Sequence, residues 1–283
     1  MSSVVMDFLS SSPLRGSWGM GCSFLVLQDV TTLKYTPYAH DEDSSSRRAI
    51  LEKKVNTLST KMHCNRRIEV DFSNGEHTTD ISYAKMGTLS LLNRIILPSL
   101  DTGDIILINP DFYNQTQIFI SYPNGTTKIG NFTLDFMLMC QISHIANNDY
   151  VSIPKWTTLI GSTLIFSIGH LVPKAKPIFD EATSGAFLSP SYYAASLKLA
   201  LMTMPIFLSL NALITLWREK QVEESVATVC KTKVLSSFIN YLSELERRKL
   251  SDQGLISKIE LALLKNRKER LETILKQRLA STN

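Results

Sequence analysis

The feature that most constrains this 283-residue chain is an uncharged stretch, LALMTMPIFLSLNALITLW, which runs from residue 199 to residue 217. As a helix, its 19 residues would be about 28 Å long, close to the ~30 Å hydrocarbon thickness of a bilayer. Such a helix either crosses a membrane or fills the core of a soluble protein. The sequence favours the membrane, because Arg218 and Lys220 follow the stretch directly, as basic residues do on cytosolic flanks.

A second apolar stretch, WTTLIGSTLIFSIGHLV (156–172), also lacks acidic residues, lysine and arginine. Its Ser, Thr and His170 side chains dilute it, so it can span the bilayer, lie in the interface or pack inside protein. If both stretches insert, they form a hairpin with both flanks in the cytosol. The predicted membrane contacts are the aromatic residues at the ends of the stretches and the basic residues after the second: Trp156, Tyr192, Tyr193, Trp217, Arg218 and Lys220.

Residues 17–150 are predicted to form a β-rich domain, a sandwich or barrel, which makes the fold class α+β. Asn74-Gly75 and Asn124-Gly125 each lie between alternating apolar and polar residues, a pattern typical of a hairpin with a type I′ turn. The spacing of apolar residues over 48–62 predicts one helix. The remaining predicted strands cover residues 23–30, 32–38, 104–110 and 134–142.

The tail, residues 221–283, is predicted to form two amphipathic helices with a break at Gly254. Apolar residues on one side of these helices predict a seam in a helical hairpin or coiled coil, and basic residues predict a face directed away from it. The predicted assembly seam contains Leu242, Leu245, Ile259 and Leu263. The predicted basic face contains Lys265, Arg267, Lys268 and Arg270.

The sequence contains no recognisable catalytic or metal-binding motif. Its four cysteines, Cys22, Cys64, Cys140 and Cys230, are too widely spaced for a zinc site or a redox pair. The sequence therefore predicts no enzymatic activity, no cofactor and no metal. The first 16 residues lack the basic region of a signal peptide, which predicts a protein that is not secreted.

Four segments follow from these patterns: an N-terminal extension (1–16), the β-rich domain (17–150), an apolar helical region that forms a predicted membrane hairpin (151–220), and the basic tail (221–283). They predict a non-enzymatic, membrane-associated interaction or assembly protein, with the N-terminal domain and the tail in the cytosol. Its predicted partners are membrane lipid and either another copy of the chain or a different protein.

The alternative is a soluble structural or nucleic-acid-associated protein, of the viral matrix or movement type, in which residues 156–217 form a helical core. Residues 218–283 carry 14 Lys and Arg against 9 Asp and Glu, which suits an anionic partner. No aromatic residue interrupts the basic run of the tail, and this weakens the support for nucleic acid.

Overall fold

The computed structural model describes residues 12–31, 34–35, 42–72, 80–86, 103–116, 118–121, 127–184, 190–250 and 254–281. The described chain is mainly helical and divides into two compact units. The first, here called the helical unit, comprises Met1–Leu33, Thr88–Asp101 and Asp149–Trp217. The second, the α/β unit, comprises Lys34–Gly87, Thr102–Asn148 and Arg218–Asn283.

The elements follow one another along the chain as α1 (Ser12–Thr31), β1 (Lys34–Tyr35), α2 (Glu42–Lys61), β2 (Ile68–Phe72), β3 (Ile81–Met86), β4 (Asp104–Ile108), α3 (Pro110–Gln115), β5 (Ile118–Ser121), β6 (Thr127–Gly130), α4 (Phe132–Ala146), α5 (Asp149–Leu171), α6 (Lys176–Ser184), α7 (Pro190–Val229), α8 (Thr232–Lys249) and α9 (Leu255–Ala280).

The helical unit contains α1, α5, α6 and the part of α7 that ends at Trp217. Its core is small and is built around aromatic rings. The ring of Phe24 on α1 stacks on the ring of Phe207 on α7, with centroids 5.1 Å apart. Phe179 of α6 and Ile165 of α5 complete this cluster, and each is 1% exposed.

The α/β unit contains a four-stranded sheet in the order β1-β3-β4-β2. Strand β4 lies between β2, which is parallel to it, and β3, which is antiparallel. Every residue of β4 is buried. This explains its nearly unbroken apolar sequence, DIILI, since a central strand with both faces covered has no solvent side. Strands β5 and β6 form a separate antiparallel pair.

Helix α4 joins two apolar clusters of the α/β unit. Leu134, Leu138 and Ile142 pack towards the sheet and α2, whereas Phe136 and Met139 pack towards α8, α9 and the end of α7. The helix begins at Asn131, whose side-chain oxygen accepts a hydrogen bond from the Leu134 amide at 3.0 Å. An Asn in this position satisfies one of the amides that an α-helix leaves without a partner in its first turn.

The predicted β-rich sandwich or barrel is wrong, because the described residues of 17–150 form helices around a small sheet. The predicted strand 134–142 lies inside α4. Its apolar run has no polar face because the helix is covered on both sides, and such a run does not distinguish a buried strand from a buried helix. The predicted strand 23–30 lies inside α1, whose outward side chains are themselves partly apolar.

Other strand predictions fare better. The pair predicted around Asn124-Gly125 is confirmed as β5 and β6, and the predicted strand 104–110 contains β4. The hairpin predicted around Asn74-Gly75 is wrong, since β2 and β3 exist but each pairs with β4 instead of with the other. Both Asn-Gly turns lie outside the described residues. The helix predicted over 48–62 is α2.

Candidate membrane-contacting surface

Helix α7 contains a segment, Tyr193–Val229, that is long and apolar enough to cross a membrane. Only 17% of its most apolar window is buried. A helix hydrophobic on all sides is ordinarily buried in the core of a large protein or in a bilayer. The exposure of this one therefore speaks against a core helix. Helices α5 and α6 meet the same test as a pair, with a bend of 112° between them.

Large apolar side chains cover the outside of α5 and of this part of α7. Monomeric soluble proteins rarely expose a continuous apolar surface, and a large one marks a contact with lipid or with protein. We call this the apolar exterior. On α5 it consists of Leu159, Ile160, Leu164, Ile168 and Leu171, and on α7 of Leu197, Leu201, Met202, Leu208, Leu213 and Leu216.

Helices α5 and α7 run antiparallel in the helical unit. The Thr157 hydroxyl donates a hydrogen bond to the Asn211 side-chain oxygen at 3.3 Å, and Gly161, one turn later on α5, lies against the ring of Phe207, one turn earlier on α7. A Cβ atom on Gly161 would overlap that ring. Gly161 thus leaves the space that the ring of Phe207 occupies.

Charged residues delimit the apolar exterior at both ends. Along α5 no acidic residue, lysine or arginine occurs between Lys155 and Lys174, and along α7 none occurs between Lys198 and Arg218. Because the two helices are antiparallel, with Thr157 opposite Asn211, Lys155 is level with Leu213, about 7 Å along the axis before Arg218. At the other end Lys198 is level with His170. The zone free of charge on both helices is therefore about 22 Å thick, thinner than the ~30 Å hydrocarbon core of a bilayer, and the long lysine side chains at its edges can extend towards the headgroups.

Hydroxyl groups on these helices find hydrogen-bond acceptors inside the protein. Thr163 donates to the Leu159 carbonyl at 2.8 Å, Ser167 to the Thr163 carbonyl at 2.9 Å, and Thr203 to the Leu199 carbonyl at 2.7 Å. The Thr158 hydroxyl is buried without an acceptor. Internal pairing is what a lipid environment demands, since lipid tails offer no partner to a polar group.

The predicted aromatic contacts lie on this unit. Trp156 and Trp217 are 54% and 59% exposed and belong to the same end of the antiparallel pair, so they are placed as an interfacial belt would be. Tyr193 and Lys220 are exposed, and Arg218 is partly exposed. Tyr192 lies in α7, with its side chain outside the described residues.

The predicted seam residues separate into two groups. Leu242 is fully buried and Leu245 is partly buried in the cluster that joins α4, α7, α8 and α9. Ile259 and Leu263 are 56% and 49% exposed. The residue of α9 that is fully packed in the described structure is Leu271, at 1% exposure, and it was not among the predicted seam residues.

Three of the four predicted basic-face residues contact acidic side chains of other helices. Arg267 pairs with Glu223, Lys268 pairs with Glu246, and both act between α9 and a neighbouring helix. Arg270 lies 3.7 Å from Glu223 and 3.2 Å from Glu224. Lys265, the fourth, is exposed. The acidic partners were missed because they precede the basic run by about twenty residues or more and show no short-range spacing with it.

Glu223 is the centre of this charged cluster, since it is only 5% exposed. Arg267 also places its guanidinium over the ring of Phe238, with the central carbon 5.2 Å from the ring centroid. Nearby, Arg278 donates hydrogen bonds to the carbonyls of Ala227 at 2.6 Å and Cys230 at 2.7 Å. These carbonyls lie at the C-terminal end of α7, where they lack an intrahelical partner, and an arginine side chain satisfies them. The cluster thus fixes α9 to the α/β unit.

A polar cleft of about 400 Å³ opens in the α/β unit where β4 ends, and Asn109, Asp111 and Glu244 line it. In it the Tyr241 hydroxyl donates a hydrogen bond to the Asp80 carboxylate. Burial raises the pKa of Tyr241, and the bond to Asp80 raises it further. Sequence reasoning missed this pair because the two residues lie 161 positions apart.

The charged residues at the rim of the cleft also pair with one another. Arg247 and Arg248 donate hydrogen bonds to Glu244 and lower the pKa of that carboxyl to about 2. Among the described residues, no group of three or more His, Cys, Asp or Glu side chains is arranged to hold a metal ion. Glu244 and Arg248 of the cleft are therefore already paired with each other.

No protein-family model, no curated protein and no solved structure matches the chain.

Proposed function

We propose that this chain is a non-enzymatic, membrane-anchored interaction protein. The helical unit is embedded in lipid as a hairpin of α5 and α7, and the α/β unit remains in water. The observation that carries the proposal is the apolar exterior, which ends at charged residues on both sides and includes an uncharged stretch of α7 about 28 Å long.

The energetic balance supports this arrangement. Transferring a half-exposed leucine from water to lipid is worth roughly 1 kcal/mol. The side chains of the apolar exterior together give a driving force on the order of 10 kcal/mol. Against it stand few desolvation costs, because the hydroxyls of Thr163, Ser167 and Thr203 already bond to backbone carbonyls.

The α/β unit faces the cytosol in this proposal. The end of the hairpin that carries Lys155 and Arg218 leads into residues 218–283, where most of the basic excess lies. Basic residues near the ends of membrane helices remain on the cytosolic side. The exposed pair Ile259 and Leu263 is where the tail would contact a second copy of the chain.

Alkaline carbonate extraction of a membrane fraction tests the anchor. We expect the full-length chain to stay in the pellet. Replacing both Leu164 and Leu208 by Lys places two charges on the lipid face near the middle of α5 and α7, at a cost of about 2.5–3.5 kcal/mol each near the bilayer centre. We expect this variant to shift to the supernatant.

The matched control replaces Ile259 and Leu263 by Lys, which adds the same two charges to exposed positions of the tail. This control should stay in the pellet, and a smaller assembly by size-exclusion chromatography in detergent would place the contact between copies at these residues. Complete release of the unmodified chain, or a monodisperse preparation without detergent, would contradict the anchor and favour the soluble alternative.

A further inference from the structure

We infer that α1 is a third membrane-embedded helix and that its outer face contacts lipid acyl chains. This inference rests on the proposed membrane anchor and extends it to a segment that apolarity does not single out. Between Arg15 and Asp29, α1 has 13 uncharged residues, a length of about 20 Å. That is too short to cross a ~30 Å hydrocarbon core.

The contacts between α1 and α5 decide how deep α1 lies in the membrane. The Ser162 hydroxyl of α5 donates a hydrogen bond to the Ser17 carbonyl of α1 at 3.2 Å. One turn further on, a Cβ atom on Gly21 would overlap the Ser162 hydroxyl and touch Thr158. The two helices are therefore in close contact at this point and run antiparallel.

This contact lies in the middle of the uncharged stretch of α5. Ser162 is about 10 Å along the helix axis from Lys155 and roughly 13 Å from the end of α5 at Leu171. A helix packed against the middle of a membrane-spanning helix lies at the same depth. If α5 spans the bilayer, α1 therefore enters the hydrocarbon core as a partial insertion.

Between Trp18 and Val26 the outer face of α1 carries no charge and suits acyl chains, and exposed Arg15, one turn before Trp18, bounds this stretch. Trp18, Cys22 and Val26 recur every fourth residue on this face, and Trp18 and Val26 are 60% and 57% exposed. Ser23 also lies on this side, and its hydroxyl donates a hydrogen bond to the Gly19 carbonyl at 2.9 Å. The polar group on the lipid side is thus satisfied within the helix itself, as it must be in a bilayer.

Tryptophan fluorescence offers a direct test, because the three tryptophans of the chain, Trp18, Trp156 and Trp217, all lie in the helical unit. Three variants each keep one tryptophan and carry Phe at the other two positions. Each is reconstituted into phosphatidylcholine vesicles brominated either near the headgroup or near the middle of the acyl chains. Far-ultraviolet circular dichroism checks that each variant retains its helix content.

Trp156 and Trp217 should be quenched most by the shallow bromines and Trp18 most by the deep ones. Trp18 is next to Ser17, whose contact with Ser162 lies six residues along α5 from Trp156. The expected difference in depth is therefore roughly 9 Å.

The outcomes separate the inference from the proposed function. If Trp156 and Trp217 are quenched and Trp18 is not, the anchor stands and the lipid contact of α1 is overturned, whether water or a second copy of the chain covers that face. If none of the three is quenched, both fail.

Cys22 gives a second measurement without any substitution. Of the four cysteines it is the exposed one, and the other three are buried. A membrane-impermeant maleimide should leave Cys22 unlabelled in vesicles and label it after dissolution in sodium dodecyl sulfate. Labelling in intact vesicles at the rate of a free thiol would overturn the inference.

Discussion

Replacing Arg267 by Met should destabilise the α/β unit strongly, although Arg267 belongs to a run of basic residues that resembles a solvated surface. Met keeps much of the aliphatic length and removes the charge. The substitution leaves the carboxylate of Glu223, which is 5% exposed, with Arg270 at 3.7 Å as its remaining cationic neighbour among the contacts described. It also removes the guanidinium from the face of Phe238.

The size of the effect follows from the burial of the pair. Removing one partner of a buried ion pair costs about 3–5 kcal/mol, because the other charge stays buried without compensation. Arg267 itself is 37% exposed, and Arg270 remains near Glu223, so the lower end applies. We expect a loss of about 3 kcal/mol in the free energy of unfolding.

Thermal unfolding of the full-length chain in detergent, followed by circular dichroism, measures this loss. For a unit of this size, 1 kcal/mol corresponds to about 2–4 °C in Tm, so the Arg267→Met variant should melt roughly 6–12 °C lower. Lys265→Met is the matched control, because Lys265 is exposed two residues away, and its effect should stay within about 0.5 kcal/mol. Adding Glu223→Gln to Arg267→Met removes the uncompensated charge and should restore part of the lost stability.

Two results would refute this reasoning. If Arg267→Met and Lys265→Met behave alike, the pair with Glu223 contributes nothing and the basic run is solvated surface. If Arg267→Glu is no worse than Arg267→Met, the carboxylate of Glu223 does not sense a like charge. The sequence alone predicts that replacing Arg267 and Arg270 by Glu leaves folding intact. The contacts of both arginines with Glu223 predict that the same replacement destabilises the α/β unit.

Three further predictions concern packing and pH. Leu271→Asp should cost several kcal/mol and lower the unfolding midpoint of the α/β unit, whereas Leu263→Asp, at a half-exposed position, should change it by less than about 1 kcal/mol. Gly161→Ala should cost about 1–3 kcal/mol and lower the melting temperature of the helical unit, because the new Cβ atom would overlap the ring of Phe207. Gly19→Ala is the control and should not lower it, because nothing lies within 4 Å of the new Cβ atom. Because the pKa of Tyr241 is raised in the folded state, the unfolded state loses the phenolic proton at a lower pH than the folded state does. The free energy of unfolding should therefore be retained below about pH 10 and fall above it. Tyr241→Phe should flatten that fall when the unfolding midpoint is measured as a function of pH.

The sequence predicts the helix that could cross a membrane and fails on the fold around it, for one physical reason. A long uncharged run with charged ends, such as 199–217, can form few structures other than a helix, whereas a short apolar run can form either a strand or a helix. Residues 104–108 and 134–142 are both apolar and both become buried, but the first is a central strand and the second is a helix covered on two sides. Their surroundings, and not their own pattern, decide between the two forms.

The tail shows a different limit. Periodicity correctly predicts two helices, α8 and α9, with Leu242 inside the packed cluster. It does not predict that Arg267 and Arg270 point at Glu223, since an ion pair between distant helices leaves no short-range signal. A strip of leucines is assumed to be the only buried side of an amphipathic helix. In this structure Arg267 and Arg270 form part of the interface, because they pair with the buried carboxylate of Glu223.

In helix α7 the kind of side chain that is exposed changes from one half of the helix to the other. Before Trp217 the outward side chains are large and apolar, among them Leu201, Leu208 and Leu213. After it the outward side chains include Glu219 and Lys220, and Val222 and Val226 are buried, although Val229 at the end of the helix is exposed. Trp217 is also the last residue of the helical unit, so the change coincides with the boundary between the two units along the chain. In the proposed anchor, Trp217 and Arg218 are where α7 leaves hydrocarbon and enters water, with an aromatic residue and a basic residue at the boundary.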